Sequence, residues 1–450
     1  MKDYSLVPDA RNLMESTRSI GYSLSAAVAD IIDNSIAAQA TEVVVTSPTL
    51  SQRVLTIFDN GKGMNETELL VAMKYGSRSV GEDRSESDLG RFGLGLKMAS
   101  LSQCRCLTVV SRKCDGQFYG ARWDLDHVAM SCNAWPLQVL EADDIATVPG
   151  IAAFENTKSG TLVVWEKLDL MLQGIDDVER RPLQVLTGRM ADLKRHLSLV
   201  FHRYLAGKDG VALRICFNGQ VLAPMNPFLE GHSTCPFAED SFRIGRTKIY
   251  YQAYILPHPS NMSQEDREAA GDLQRDQGFY IYRNRRLVIW GTWFRLSRKQ
   301  ILSKLARVRV DFPASAELDR LWSLDVKKSS ATVPEELREC LRSVVNKLSD
   351  RSANVWGKRA KKQQVNKDSF WKRSTRPDGM VAYEINDENE TIKELVGRCP
   401  EAGEVLRLVA AKLPLDSLYL DLAGEKTVDV ANDKTVTDIL ASLRTSGFNC

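Results

Sequence analysis

The chain has 450 residues, of which 43% are hydrophobic and 26% are charged, and its formal net charge is +2. This composition is typical of a soluble globular protein, and the length suffices for two or three domains with separate hydrophobic cores. The small net charge excludes a global field that would draw the whole protein onto nucleic acid or membrane. No apolar run is long enough to span a bilayer.

The cysteines and the N-terminal sequence predict the compartment. The stretch MKDYSLVPDARN has no signal-peptide core, and nine cysteines occur without regular pairing. Both features fit a reducing environment, so we expect a cytoplasmic protein. Cys104, Cys106 and Cys114 are close together, but their spacing matches no zinc pattern, and we interpret them as thiols of the hydrophobic core.

The first motif-bearing helix is predicted at VADIIDNSIAA (Val28–Ala38). At helical spacing, one stripe of this helix is apolar and consists of Val28, Ile31, Ile32 and Ile36. The neighbouring stripe consists of Asp30, Asp33, Asn34 and Ala37. Burying these acids without partners would cost several kcal/mol per charge, so the pattern predicts that the stripe faces water, a cation or a ligand. The alternative is an ordinary amphipathic helix with a solvated face.

Strands and helices alternate in the segment that follows. β-Branched residues predict strands at EVVVT (Glu42–Thr46) and RVLTIFD (Arg53–Asp59). TELLVAMKYG has helical spacing, and the polar, glycine-punctuated segment from Gly76 to Gly93 is predicted to be a long surface loop. A helix resumes at LGLKMASLSQ, and further strands are predicted around CLTVVS, GQFYGARWDL and GTLVVWEKL.

Three glycine-bearing motifs follow the acidic helix in order. The first, FDNGKGM, contains Asp59, Gly61, Gly63 and Met64 at the end of a strand. A carboxylate there can accept a hydrogen bond from an exocyclic amine, and the glycines let a flat ring approach the backbone. Taken alone, DNGKG is also an ordinary turn sequence.

The second motif is suited to binding a polyphosphate, and the third supplies a hydroxyl group that can form a hydrogen bond. LGRFGLGLKMAS contains Gly90, Arg91, Gly93, Gly95 and Lys97; it is neither a P-loop nor GxGxxG. Glycines directly before a helix supply free N–H groups and a positive helix end. In SGTLVVWE, the hydroxyl of Thr161 can reach Asp59 or a ring nitrogen.

This ordered set resembles the ATP-binding fold shared by gyrase, the ninety-kilodalton heat-shock chaperone, histidine kinases and MutL, the GHKL superfamily. The resemblance covers residues 10–170. It implies that Asn34 holds Mg²⁺, that Asp30 activates water, and that Asp59 reads the adenine amine while Met64 packs on the ring. It also implies a phosphate-binding segment beneath a lid formed by residues 76–93. That segment comprises Gly90, Arg91, Phe92, Gly93, Leu94, Gly95, Leu96 and Lys97.

One position departs from the family pattern. The activating residue of MutL and the chaperone is a glutamate, whereas the matching residue here is Asp30, whose side chain is one methylene shorter. A shorter carboxylate polarises the attacking water less directly, so we expect slow hydrolysis, as suits a switch.

A second α/β segment is predicted from about Val178. It begins with a long helix, RPLQVLTGRMADLKRHLSLVFHRYL, and strands follow at VALRICFNG, IYYQAYIL and GFYIYRNRRLVIW, with a turn at Asn218-Gly219. The stretch His196–Phe228 resembles the start of MORC-type transducer domains, and QGFYIYRNRRLVIWGTW resembles a strand pair shared by MutL and MORC proteins. In such transducers a lysine contacts the γ-phosphate; Lys327 or Lys328 would serve, and Lys328 is favoured. The alternative is a pair of solvated lysines at a helix start.

The expected fold class is α/β (α+β), with a GHKL (Bergerat) sandwich of mixed sheet and helices followed by an α/β transducer. We place the ATP-binding domain at residues 1–175, the transducer-like domain at 176–350 and a C-terminal region of unknown fold at 351–450. A prokaryotic MORC-like or MutL-like ATPase of this kind is expected to form a homodimer when ATP binds.

The segment from Arg283 to Arg309 contains nine basic residues and no acidic one. This basic stretch suggests double-stranded DNA as the clamped partner. The candidate phosphate contacts are Arg283, Arg285, Arg286, Arg295, Arg298 and Lys299. The alternative is an ATP-gated, chaperone-like module with a protein client, in which Trp290, Trp293, Phe294 and Ile301 belong to a core. The resemblance also suggests restriction or phage defence, with a nuclease or helicase partner supplying any cutting.

Overall fold

The computed structural model of the chain describes residues 3–4, 6, 8–19, 21–76, 95–114, 116–131, 135–173, 182–207, 212–234, 239–244, 247–300, 303–313, 315, 318, 321–322, 333–360, 370–375, 381–399 and 405–406. The chain divides into two compact units. The first comprises residues 1–299 and 303–351, and the second comprises residues 300–302 and 352–450. Within the described residues, no helix combines the length and apolar character needed to cross a membrane.

An eight-stranded mixed sheet organises the N-terminal part of the first unit. Its strands are β1 (Glu42–Thr46), β2 (Leu55–Asp59), β3 (Cys106–Arg112), β4 (Tyr119–Asp124), β5 (Gln138–Leu140), β6 (Gly160–Glu166), β7 (Arg214–Phe217) and β8 (Gln220–Val221). The strand order is β5-β4-β3-β6-β2-β1-β7-β8. Only the β1–β7 pair is parallel among these neighbours. The mixed α/β fold predicted from the sequence is confirmed.

Helices cover both faces of this sheet. They are α1 (Ala10–Arg18), α2 (Leu24–Ala37), α3 (Glu66–Met73), α4 (Gly95–Leu101), α5 (Leu125–Met130), α6 (Ala142–Ala146), α7 (Ile151–Glu155), α8 (Pro182–Val200) and α9 (His202–Leu205). Alternate residues of one strand serve different cores: Val109 packs with the long helices, whereas Val110 packs with the short helices α6 and α7. Because both faces of the sheet are covered, β3 is buried along almost its whole length.

Helix α2 has a defined start and a buried apolar face. The side chain of Ser23 caps its N-terminus by accepting a hydrogen bond from the Ala26 N–H at 3.2 Å. Val28, Ile31 and Ile32 are buried in the main core, as their spacing predicts. Helix α2 packs against α4 and α8.

A five-stranded sheet follows within the first unit. Its strands are β9 (Asp240–Ile244), β10 (Thr247–Ile255), β11 (Gly278–Arg283), β12 (Arg286–Thr292) and β13 (Ala306–Phe312), in the order β12-β11-β13-β10-β9, with helix α10 (Gln264–Ala270) before β11. Asn284 and Arg285 join β11 to β12 with φ of 49° and 66°, which suits a two-residue hairpin. The predicted Asn218-Gly219 turn likewise joins β7 to β8.

The C-terminal unit contains elements that the sequence did not reveal. Its strands Trp371–Thr375 and Val381–Ile385 pair antiparallel, and a helix, Glu390–Arg398, follows. Asn389 caps this helix by accepting a hydrogen bond from the Ile392 N–H at 3.1 Å. The longer helix Glu335–Ala360 begins in the first unit, and the helical spacing of the sequence from Pro334 onward predicts it.

Two sequence expectations need correction. The single helix predicted from RPLQ to HRYL is broken at Phe201, where α8 ends and α9 begins. Cys114 is exposed rather than a core thiol, whereas Cys104 and Cys106 are buried. The domain boundaries at 175/176 and 350/351 stay a prediction; β7 and β8, which follow residue 176 in the chain, complete one edge of the eight-stranded sheet.

Candidate functional site

Asp59, the last residue of β2, is a tightly held polar side chain of the predicted site. It is only 6% exposed. Its Oδ1 accepts a hydrogen bond from the Gly61 N–H at 2.9 Å, and its Oδ2 accepts one from the Ser35 hydroxyl at 2.9 Å. Because both oxygens are held, the carboxylate has a fixed orientation at the end of the strand.

Burial also changes the acidity of this carboxyl group. It raises the pKa of Asp59 from 3.8 to about 6, and the hydrogen bonds from Gly61 and Ser35 oppose that rise. At neutral pH the group is therefore mostly ionised and can act as a hydrogen-bond acceptor for a ligand.

The two glycines after Asp59 are required by close backbone approaches. A Cβ on Gly61 would lie 2.8 Å from the carbonyl oxygen of Ala38. Gly63 has a φ of +66°, and a Cβ there would lie 1.9 Å from the carbonyl oxygen of Arg112. The FDNGKGM motif is thus packed against α2 on one side and β3 on the other, which is more than an ordinary turn requires.

A short hydrogen-bond chain connects this motif to β3 and β6. The Met64 N–H donates to the Ser111 hydroxyl at 2.9 Å, and that hydroxyl donates to the Gly160 carbonyl oxygen at 2.9 Å. The Ser111 and Thr161 hydroxyl oxygens are also 2.9 Å apart. Thr161 pairs with Asp59 in the β2–β6 register, but its hydroxyl contacts Ser111. Met64 itself is half-buried and packs against the main core.

Ser35 and Ser111 were not identified by the sequence reasoning. Serine is common and neither residue belongs to a glycine motif, so composition gave no signal. Ser35 could have been found from its position, since it follows Asn34 on the helix that carries the predicted ligands. The role of Ser111 depends on the β3–β6 pairing, which the sequence alone does not specify.

Helix α2 also carries Asp30 and Asn34, one turn apart on the same face. Asp30 is buried, whereas Asn34 is exposed. A Cβ placed on Gly95 would lie 3.9 Å from Asp30 Oδ2, so the first residue of α4 adjoins this carboxylate. Since Ser35 contacts Asp59, one helix places side chains at both the strand-end site and the start of α4.

The second acidic residue of the helix, Asp33, is not directed toward water or a ligand, which corrects the expectation for that position. It is 1% exposed and forms an ion pair with Arg286 of β12, whose Nε lies 3.2 Å from Asp33 Oδ1. The Arg286 guanidinium also donates to the Leu287 carbonyl and lies 5.2 Å from the centre of the Phe201 ring. The countercharge comes from 253 residues away, so no local pattern could show it.

The phosphate-binding prediction is only partly inside the described residues. Gly95, Leu96 and Lys97 lie in the first turn of α4. Lys97 is buried, and its Nζ donates to the Ala72 carbonyl oxygen at 2.8 Å. The other predicted positions lie outside the described residues: Gly90, Arg91, Phe92, Gly93, Leu94, Lys327 and Lys328.

The donor set fits a divalent cation held jointly with phosphates. Asn34 presents an amide side chain on the exposed face of α2, next to Asp30. Among the residues that the structure describes, no group of three His, Cys, Asp or Glu side chains could hold a metal. Mg²⁺ is commonly bound by one or two protein oxygens together with phosphates and waters, and Asn34 suits that role.

The six candidate phosphate contacts of the basic stretch are not equivalent. Arg283 and Arg286 are buried, and Arg285 is half-buried in the hairpin turn. Arg295, Arg298 and Lys299 are exposed, and the Lys299 amino group donates to the Arg275 carbonyl. Outside this set, Arg307 is fully buried and donates to the carbonyls of Pro227 and Ala270. Much of the basic stretch is therefore structural, and only its exposed part can bind a polyanion.

Comparison with known families agrees with the geometry. Residues 22–161 match a family model described as histidine kinase-, DNA gyrase B-, and HSP90-like ATPase. The matched span contains Asp30, Asn34, Asp59 and the first two glycine motifs, and it ends at Thr161 of the third. A search of curated proteins finds no match to this chain. The superfamily predicted from the motifs is confirmed for this part of the chain.

Proposed function

Starting from a GHKL-type ATPase domain in the N-terminal part of the chain, we propose that this protein is a slowly hydrolysing Mg-ATPase of the MORC-like or MutL-like kind. In this proposal it is a dimeric clamp on double-stranded DNA, closed by ATP. The observation that supports the proposal most directly is that one helix, α2, places side chains both at the end of β2 and at the start of α4. Ser35 of α2 holds Asp59, while Asp30 of the same helix adjoins the first residue of α4 and Asn34 lies one turn after Asp30.

Each side chain has a role that its chemistry suits. Asp59 accepts a hydrogen bond from the adenine amine, and Met64 contacts the ring. Asn34 holds Mg²⁺, which when bound neutralises phosphate charge. Asp30 orients and deprotonates the attacking water, and its short side chain makes the reaction slow. Lys328, or else Lys327, senses the γ-phosphate.

In this proposal, ATP binding controls the clamp through the five-stranded sheet. Asp33, between Asp30 and Asn34 on α2, is ion-paired with Arg286 of β12. A shift of α2 on ATP binding therefore acts directly on the β11–β12 hairpin. The exposed residues Arg295, Arg298 and Lys299 follow that hairpin in the chain, and they are the part of the basic stretch suited to DNA phosphates.

Phosphate release from Mg-ATP tests the ATPase assignment. We expect slow turnover by the native protein and a loss of about 100-fold or more in Asp30→Ala and in Asn34→Ala, because each removes a group that acts on the phosphate or the water. Asp143→Ala removes an exposed carboxylate on α6 and serves as the control, with native turnover expected. Native turnover in Asp30→Ala would contradict the assigned role.

Adding double-stranded DNA to the same assay separates the two candidate clients. A DNA clamp should show DNA-stimulated turnover, and the stimulation should be lost when Arg295, Arg298 and Lys299 are all changed to Gln. Losing three phosphate contacts should also reduce the slope of log affinity against log salt by about 2.7. The control changes Lys158 and Arg214, exposed residues elsewhere on the unit. Turnover indifferent to DNA would favour the alternative, an ATP-gated module with a protein client.

A further inference from the structure

Asp30 is held by a residue that lies outside every motif recognised in the sequence. The Tyr22 hydroxyl donates a hydrogen bond to Asp30 Oδ2 at 3.1 Å. Both side chains are buried, with 7% of Tyr22 and 5% of Asp30 exposed. A hydrogen bond between a hydroxyl and a buried carboxylate is shielded from competing water and is stronger than one at the surface.

Tyr22 is itself fixed from two directions. It directly precedes Ser23, the residue that caps α2. The Gln103 side-chain amide donates to the Tyr22 carbonyl oxygen at 3.1 Å and to the Ser102 hydroxyl at 2.9 Å, and both of these residues are buried just after α4. The tyrosine is thus anchored to the two helices that flank the Asp30 carboxylate.

The chemistry of aspartate explains why such an anchor matters. Rotation of an aspartate carboxylate about χ2 is broad, so its oxygens have no strongly preferred direction of their own. A donor fixed on Oδ2 selects one orientation of the carboxylate plane. That selection aligns the group with a water molecule and leaves the contacts to the nucleotide base unchanged.

We propose that Tyr22 is a positioning residue for ATP hydrolysis, acting through Asp30. The inference rests on the proposed function, in which Asp30 orients the attacking water. It adds a residue that sets the rate of the chemical step without contacting the nucleotide. The role differs from that of Ser35, which holds the adenine-reading carboxylate Asp59.

The test is Tyr22→Phe, which keeps the buried ring and removes only the hydroxyl. We expect kcat to fall about tenfold while KM and the ATP dissociation constant stay within about twofold of native, because ground-state binding does not use the hydroxyl. Turnover is divided by the number of ATP-binding sites titrated, so a partly unfolded sample cannot imitate the result. Tyr251→Phe is the matched control, since it deletes a hydroxyl that donates to Asp240 Oδ2 at 2.9 Å in the second sheet.

A second variant separates this proposal from the proposed function. In an Asp30→Ala background, Tyr22→Phe should cause no further loss of kcat, because the residue through which it acts is gone. A further tenfold loss there, or a native kcat in the single variant, would overturn the role of Tyr22 and leave the ATPase assignment standing. Absence of hydrolysis by the native protein, or full hydrolysis by Asp30→Ala, would instead overturn the proposed function and the role of Tyr22 with it.

Discussion

At the scale of single residues, the proposed role of Asp59 in binding a base opposes the stability of the folded protein. In the proposed function its carboxyl group accepts a hydrogen bond from an amine, which the ionised form does more strongly, yet it is buried at the end of β2, which disfavours the charge. The Gly61 N–H and the Ser35 hydroxyl compensate only in part, since the pKa stays near 6. The nucleotide-free protein therefore holds a costly charge in the place where a base would bind.

This conflict predicts a pH-dependent effect of Asp59→Asn on stability. The pKa of Asp59 is about 6 in the folded protein and 3.8 as the ordinary value. The native state therefore binds the proton more tightly, and the contribution of Asp59 to stability is lost as the pH rises from about 4 through 6. The free energy of unfolding of Asp59→Asn relative to native should rise by about 2.4 kcal/mol between pH 4 and pH 7. Urea denaturation of both nucleotide-free proteins measures this; a difference independent of pH would contradict it.

At the scale of elements, helix α2 connects three parts of the first unit. Ser35 contacts the end of β2, Asp30 adjoins the start of α4, and Asp33 is paired with Arg286 of β12. The acidic stripe of this helix thus divides between Asp30 and Asn34, which the proposed function assigns to the attacking water and Mg²⁺, and Asp33, which forms an internal ion pair. This division explains why a helix with a buried apolar face carries two aspartates and an asparagine.

The Asp33–Arg286 pair should show strong energetic coupling. Arg286→Met leaves a buried aspartate without its countercharge, and Asp33→Asn leaves a buried guanidinium, so each should destabilise the protein by about 3–5 kcal/mol. The double variant should cost clearly less than the sum of the two, which a double-mutant cycle of unfolding free energies measures. The exposed pair Lys113–Glu68 is the control, with a coupling of at most about 1 kcal/mol. Additive effects at Asp33 and Arg286 would contradict the assignment.

The elements that the sequence predicted are those formed by short-range patterns of neighbouring residues. Alternating and β-branched residues predicted β1 at its observed bounds, and the Asn-Gly turn predicted the β7–β8 hairpin. Contacts between distant segments had no such local signal. The partner of Asp33, the use of Ser111 and the burial of Arg283 and Arg307 all depend on which strands become neighbours. The number of basic residues in the basic stretch is therefore larger than the number that is exposed to solvent.

At the scale of the whole molecule, the first unit combines a nucleotide site and a second sheet in one folded body. The eight-stranded sheet positions Asp59 and Thr161, and the five-stranded sheet provides the hairpin that carries Arg286. The ion pair joins Asp33 of α2 to Arg286 of β12, so in the proposed function a shift of α2 is passed directly to the second sheet. We propose that this is how ATP controls the clamp.

The measurement that tests the central claim most directly compares the affinities of the native protein for Mg-ATP and Mg-GTP by calorimetry. A carboxylate that accepts from the adenine amine faces a carbonyl oxygen in guanine, so ATP should bind at least about tenfold more tightly. In Asp59→Asn this preference should largely disappear, because an amide can serve either base. Equal affinity of the native protein for both nucleotides, or an unchanged preference in the variant, would contradict a nucleotide site built on Asp59.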